Sequence, residues 1–479
     1  MSGFDAAERG VQAALDAGAS YADARVMRRR HESMSARNGD VESITQDADA
    51  GIGIRALVGS SWGFFATPDL DDAGVRRAGE VAADTARASQ LVSRSGPPMI
   101  ASEPVTGSWE NGHEVDAFDD VSLSQKGDLL VSCTRATAEH GANIATASYR
   151  IWDTEKWFVS SEGHRIDQRV RESGAGIAGI AIGDGETQVR SYPAARGQYA
   201  TAGWEFVDGL ALESHAARVG SECRELLSAP VCPSGETTLI LGSEQLALQI
   251  HESVGHAIEL DRILGWEAAY AGTSWLDLTK LGSLRYGSEL MNITIDPTIP
   301  GALGSFGFDD EGTPAAKRDA VRDGIWVGVL AGRDSAAIAG LGYAGSVRSE
   351  GWSRLPMVRM TNVGLEPGPH TLDEIIADTD DGIFMETNRS WSIDDRRLNF
   401  QFGCEVGYEV RSGRLGRLVR NPTYTGIGPT FWASMDMLSS ETVPWGTPNC
   451  GKGQPGQTGH TGHPSAPARF RNVRVGVRA

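Results

Sequence analysis

The tightest constraint on this 479-residue chain is a hexapeptide, His251-Glu252-Ser253-Val254-Gly255-His256. The surrounding residues read as a helix over 243–260. Ser243 is a suitable N-cap, and Leu246, Ile250, Val254 and Ile258 form a stripe that can face a core. Two imidazoles and a carboxylate then fall on the other faces. Histidines four apart share one face of a helix. These are five apart, about 140° of rotation on an ideal α-helix. Both reach one ion only if the turn takes up about one extra residue, as in a π-type bulge. Gly255 eases such a distortion. A locally irregular helix at 251–256 is therefore expected, and a straight one with splayed imidazoles would end the metal reading.

The chemistry follows from the residue types. Two neutral imidazoles bind a divalent transition metal, with Zn²⁺ the usual choice and Co²⁺, Fe²⁺ or Mn²⁺ permitted by the same ligands. A catalytic site takes a third protein ligand and keeps a fourth position for water, whose pKa the metal lowers. Glu252, next to a ligand, is placed to accept that water's proton and pass it to a leaving amine. Candidates for the third ligand are Glu259, Asp261, Glu267, Asp277, Cys450, His460 and His463. Cys450 lies in Gly446-Thr447-Pro448-Asn449-Cys450-Gly451-Lys452-Gly453-Gln454. Glycines there let the backbone come close to a site, and a thiolate is a strong zinc ligand.

Elsewhere the chain divides by texture. Helices are expected at 5–17, 71–90, 121–141 and 206–228. Strands are expected at 21–34, 41–45, 51–58, 62–66, 143–151, 154–160, 165–171 and 174–183. A Ser-, Pro- and Gly-rich connector covers 92–120. Helix, strands, helix thus occurs twice, which suggests two α/β lobes ending near Pro230–Gly235. After residue 285 short β-like runs alternate with turns: 291–295, 325–330, 357–360, 382–385, 400–411 and 470–477. The fold class is α+β: a mixed α/β N-terminal region, 1–235, then a β-rich C-terminal domain, 236–479, with the HExxxH helix at the junction.

At this point the chain resembles the TldD/PmbA family of metallopeptidases, specifically its metal-bearing TldD type. The likeness rests on Gly51-Ile52-Gly53-Ile54-Arg55-Ala56-Leu57, the HExxxH at 251–256, Asp309-Asp310-Glu311-Gly312-Thr313-Pro314, Met360-Thr361-Asn362, the Gly446–Gln454 run and Val473-Arg474-Val475-Gly476. It implies His251, His256 and Cys450 as metal ligands, one Zn²⁺ per chain, and Glu252 as general base. It also implies cleavage of small or unfolded peptides, including leader peptides of ribosomally made modified peptides. Dimers are implied too, either of like chains or with a related subunit lacking the metal motif. Gly459-His460-Thr461-Gly462-His463 departs from the expected shorter polar segment. Two other readings are open: a non-catalytic subunit shaping a peptide channel, and a metal-dependent amidase acting on a non-peptide amide. Substrate-binding residues are not legible, although an extended peptide adding to a sheet edge would suit a sequence-tolerant site.

Plainer roles are expected for other residues. His31-Glu32-Ser33 repeats three letters of the motif inside a strand and reads as a surface histidine. Cys133, Cys223, Cys232 and Cys404 read as small buried residues. Asp309–Gly312 reads as a turn and helix start, and His460 and His463 as solvated tail residues. Asn449 and Lys452 read equally as loop residues or as groups that polarise a carbonyl. The net charge of −19 excludes a nucleic-acid partner and a polybasic membrane anchor. With five scattered cysteines, no apolar run near 18 residues and no signal-like start, the expected location is the cytoplasm.

Overall fold

The computed structural model describes residues 2–92, 99–183, 185–343 and 345–476. Its first half is built on one eight-stranded sheet. Two long hairpins form the centre: Tyr21–Arg37 with Asp40–Val58, and Ile144–Ser160 with Arg165–Gly183. The first turns through Asn38 (φ 48°) and Gly39 (φ 94°), residue types that tolerate the left-handed backbone a two-residue hairpin loop needs. Tyr21–Arg37 pairs antiparallel with Ile144–Ser160, so both lobes share one sheet. Helices Gly3–Asp16 and Asp72–Gln90 bury Val11 and Val75 against Ile52 and Ile54. Helices Leu123–Glu139 and Leu212–Ser228 bury Leu130 and Val219 against Ile151 and Ile177. Capping starts them: Ser2 and Asp5 bond reciprocally, and the Asp71 carboxylate accepts from the Gly74 N–H at 2.8 Å.

The second half carries a seven-stranded sheet ordered Asp381–Ile393, Gly235–Leu241, Ala468–Val475, Thr423–Ile427, Asn399–Arg411, Arg414–Val419, with Met435–Leu438 beside Ala468–Val475. Gly235–Leu241 lies inside this sheet and leads directly into helix Ser243–Ile250, so the helix leading to the HExxxH starts from a fixed point. A separate hairpin, Val443–Lys452 with Gln457–Ser465, folds back over that helix. Leu246, Ile250, Val254 and Ile258 are all fully buried in the main core, as the stripe required. Cys133, Cys223, Cys232 and Cys404 are buried and unpaired. No helix among the described residues is long and apolar enough to cross a membrane.

Several elements differ from the sequence reading. The runs 41–45 and 51–58 are one strand, and so are 143–151 with 154–160 and 165–171 with 174–183. Apolar alternation lapses in each, but the ladder joins backbone groups and needs only a partner strand. The helix expected at 206–228 is split into Trp204–Gly209 and Leu212–Ser228 at Ala211, whose φ is 49°. The connector holds a strand, Thr106–Glu110, and its residues 93–98 lie outside the described residues. The run 325–330 is a strand only at Ile325–Trp326, and 470–477 is the strand Ala468–Val475, with Val477 outside the described residues. No helix follows Asp309–Gly312; a strand, Arg318–Arg322, comes next. The acids are buried ties to the N-terminal sheet instead. Asp310 pairs with Arg25 at 3.1 Å and with Lys156, and Glu311 with Arg55 at 3.3 Å.

Candidate metal centre

Helix Ser243–Ile250 continues as a π turn over His251–Gly255, closed by the His256 N–H donating to the His251 carbonyl at 3.1 Å. This is the expected irregularity. The wider turn brings residues five apart back toward one face. Gly255 also has a packing reason: a Cβ there would lie 2.1 Å from the Met360 sulfur. The α-helix expected to reach residue 260 therefore stops at Ile250, and a separate short helix begins at Leu260.

The imidazole rings of His251 and His256 stand edge to face, centroids 4.8 Å apart. Cys450 arrives from the hairpin, its Sγ 3.7 Å from His256 Nε2. One donor atom from each of the three lies within 4.8 Å of the others, and all three residues are buried. Bond lengths of a tetrahedral zinc imply an N···S separation of about 3.5 Å, so the donor set fits such an ion. Among the described residues it is the one group of this kind.

The tautomers follow from the neighbours. The Val363 carbonyl can only accept, so His463 donates to it from Nδ1 at 2.9 Å. Its Nε2 is then an acceptor and takes the His251 Nδ1–H at 2.7 Å. That leaves the lone pair on His251 Nε2. Likewise the Glu259 carboxylate accepts from His256 Nδ1 at 2.9 Å, which leaves Nε2 toward Cys450. Burial holds both imidazoles below their ordinary pKa, in the neutral form that a metal requires. Burial pushes the Cys450 thiol up, but the Arg359 guanidinium and His256 outweigh it and bring it below the usual thiol value. Arg359, fully enclosed, also donates to the Cys450 carbonyl, and a Cβ at Gly459 would sit 2.5 Å from it.

The other third-ligand candidates are placed elsewhere. Glu259, Asp261 and Glu267 surround the buried Lys452 ammonium at 3.3, 2.9 and 2.9 Å. Lys452 is thus a tie between the hairpin and the helix, with no free donor for a carbonyl. Asp277 caps the turn Leu278–Lys280 at the surface. His460 is in a strand, its Nδ1 2.9 Å from Glu172 and its ring against Trp152. His463 is fully buried. Neither histidine is a solvated tail residue: strand pairing, invisible in a glycine-rich run, draws both inward. His31 stacks on Trp152 at 5.4 Å, part-exposed, away from the centre.

Glu252 faces a cavity of about 330 Å³ that it lines with the three donors, Trp391 and Trp445. Its Oε2 accepts from Arg397 Nη1 at 2.7 Å. Arg397 is at the tip of the loop joining Asp381–Ile393 to Asn399–Arg411, with φ 62°. It was missed because nothing in Asp394-Asp395-Arg396-Arg397 marks one arginine from the other. The first halves of the Cys450 segment, Trp445 to Gly451, form a continuous wall of this cavity.

Family models of the PmbA/TldA metallopeptidase match three successive parts of the chain: domain 1 over 22–86, the central domain over 116–228 and the C-terminal domain over 234–476. The chain belongs to the PmbA/TldA metallopeptidase family. A metalloprotease of Methanothermobacter thermautotrophicus is 28% identical over 95% of both chains. A zinc metalloprotease TldD homolog of Saccharolobus solfataricus is 22% identical, over 90% of this chain and 91% of that one. TldE from Thermococcus kodakarensis has the same fold, with a TM-score of 0.75 at 16% identity over 98% and 99% of the two chains. In this PmbA/TldA chain the C-terminal match spans both the helix and the hairpin that meet at the three donors.

Proposed function

We propose that this chain is a zinc-dependent peptidase acting on small or unfolded peptides in the cytoplasm, with leader peptides as one substrate class. The observation that carries the reading is the convergence of His251, His256 and Cys450 beside Glu252 on one cavity wall. The Saccharolobus relative, named a zinc metalloprotease, supports the choice of metal. Held by those three residues, the ion would polarise a carbonyl and acidify a water.

Glu252 takes the proton of the attacking water on its carboxylate and delivers it to the leaving nitrogen. Arg397 fixes that carboxylate at 2.7 Å and lines the same cavity, where its cation would favour a carbonyl oxygen that gains charge. The strand Val443–Lys452 pairs only with Gln457–Ser465 within its sheet; Gln198 takes its outer edge at Pro444 and Gly446, and Thr447 to Gly451 line the cavity. An extended peptide would lie along that lining stretch through backbone bonds, which tolerate many side chains. We extend the reading to a dimer, of like chains or with a related subunit, that admits unfolded peptides between subunits.

The test is hydrolysis of short peptides with and without a chelator. Glu252→Ala is expected to keep one zinc per chain and lose about 10²–10⁴-fold in kcat. Cys450→Ser is expected to lose the metal together with the activity. Chelator-resistant cleavage, or full activity in Glu252→Ala, sinks the proposal. A metal-loaded protein that cleaves small amides but no peptide moves it to the amidase reading.

A further inference from the structure

The cavity holds a second carboxyl group that the peptidase reading does not use. Glu244 lies seven residues before His251 on the same helix, which is nearly two full turns, so the two share a face about 10 Å apart along the axis. Both line the cavity. Glu244 Oε2 accepts one bond, from the Asn388 backbone N–H at 3.0 Å. Among the described residues no lysine, arginine or histidine pairs with it. The arginine behind it, Arg190, is already taken by Glu222 at 2.7 Å, Glu386 at 2.6 Å and Glu405 at 3.6 Å.

This arrangement is built, and not a stray surface acid. The strand carrying Asn388 shifts register between Asn388 and Ser390, a bulge beside the cavity that aims a backbone group. Thr387, a β-branched residue, is forced to φ 61° there, and its hydroxyl is held by Arg190 at 2.7 Å. Burial and the neighbouring Glu405 and Glu386 push the Glu244 carboxyl up to about 8, with the Asn388 bond opposing them. Such a group ionises when a cation is brought to it. Trp445 supplies an aromatic wall in the same cavity, which also suits a cation, while the Trp391 ring is already covered by Arg196 at 5.8 Å.

We infer that Glu244 is a subsite for a substrate ammonium group, on the amino-terminal side of the bond that meets the metal. This rests on the peptidase reading for its orientation, but not for the binding itself. At about 3.3 Å per extended residue, the helix rise of about 10 Å between Glu244 and His251 corresponds to about three residues of peptide. The ammonium is the peptide's own amino terminus or a lysine side chain at that distance. The first makes the chain prefer short cuts from a free amino end. Pairing converts a neutral carboxylic acid to a carboxylate and releases one proton to solvent.

The experiment measures binding, so that it is independent of cleavage. Zinc-loaded Glu252→Gln protein is titrated calorimetrically with a hexapeptide, with its N-acetylated form, and with an acetylated form carrying lysine at the third position. The free amine is expected to bind at least tenfold more tightly than the acetylated peptide. In the Glu244→Gln/Glu252→Gln protein that ratio should fall below twofold, with the acetylated peptide's affinity unchanged. Recovery of tight binding by the lysine peptide, abolished in the same variant, assigns the site to side-chain ammonium groups. Equal binding of free and acetylated peptides to the Glu252→Gln protein, with no gain from lysine, overturns the proposal without any Glu244 variant. So does a ratio that persists in the double variant. Absence of hydrolysis by the wild type touches only the peptidase reading.

Discussion

His256 is held by a carboxylate tied in turn to two cations, whereas His251 is held by a neutral imidazole that ends on a backbone carbonyl. The first side is an ion network: Glu259, Asp261 and Glu267 around Lys452 and Arg262, all buried. The second side carries no charge, and burial with its histidine neighbour pushes His463 well below the ordinary imidazole range. One hairpin reaches both sides: Lys452 on its first strand pairs with Glu259, His463 on its second strand holds His251, and Cys450 lies two residues before Lys452. The hairpin thus orients the His251 ring directly and the His256 ring through Glu259, and brings the Cys450 thiol beside them. Second partners of this kind fix the tautomer and tune ligand basicity. The charged side does so with a field, the neutral side by geometry alone.

Removing Lys452 should break the charged side most severely. Lys452→Met leaves three buried carboxylates facing Arg262 alone, and should cost about 3–5 kcal/mol of stability. Denaturant unfolding of the zinc-loaded protein measures it; a loss under 1 kcal/mol would mean that the network is not what pins the hairpin. Glu259→Gln is expected next, with zinc affinity down about 100-fold, the upper end for an outer partner. His463→Leu leaves the His251 Nδ1–H unpaired and should weaken zinc by about tenfold. Competition against a fluorescent chelator ranks the two. Equal losses would erase the distinction between the sides.

The smallest expected effect is in pH. Burial raises the Glu267 carboxyl from 4.5 to about 7, so between those values the folded protein holds a proton that the unfolded chain has lost. Its contribution to stability is complete below 4.5 and lost as pH rises through about 7. Glu259 has the opposite sign. Burial opposes its ionisation, but Lys452 and His256 bring it well below 4.5, so its contribution holds above that value and fails in acid. Glu267→Gln should flatten the fall in melting temperature from pH 5 to 7. An unchanged slope would place that titration elsewhere.

Much of this was legible in the residues. The five-residue histidine spacing forced an irregular turn, the apolar stripe fixed which face is buried, and the π turn and core positions agree with both. Cys450 stood out among five cysteines because glycines flank it. Other parts were not legible. His460 and His463 lie in a polar, glycine-rich run that looks like a tail, and only pairing with Val443–Lys452 makes it a strand. Asp309–Gly312 looks like a turn because its partners, Arg25, Arg55 and Lys156, are more than 150 residues away. The split long strands show the same limit: side-chain alternation reports burial, not the backbone ladder.

By itself the sequence determined the chemistry of the donors, the family, the α+β class and the distortion that the helix must carry. Those depend on residue type and on spacing within a few turns, where covalent geometry leaves little choice. Only the tertiary structure decided which groups orient those donors. It placed Arg397 on Glu252, His463 on His251, Lys452 among three acids and the Asn388 N–H on Glu244. These contacts join residues about 140 to more than 200 positions apart. Their partners are selected by packing and by the need to satisfy buried charge, neither of which leaves a local mark on the chain.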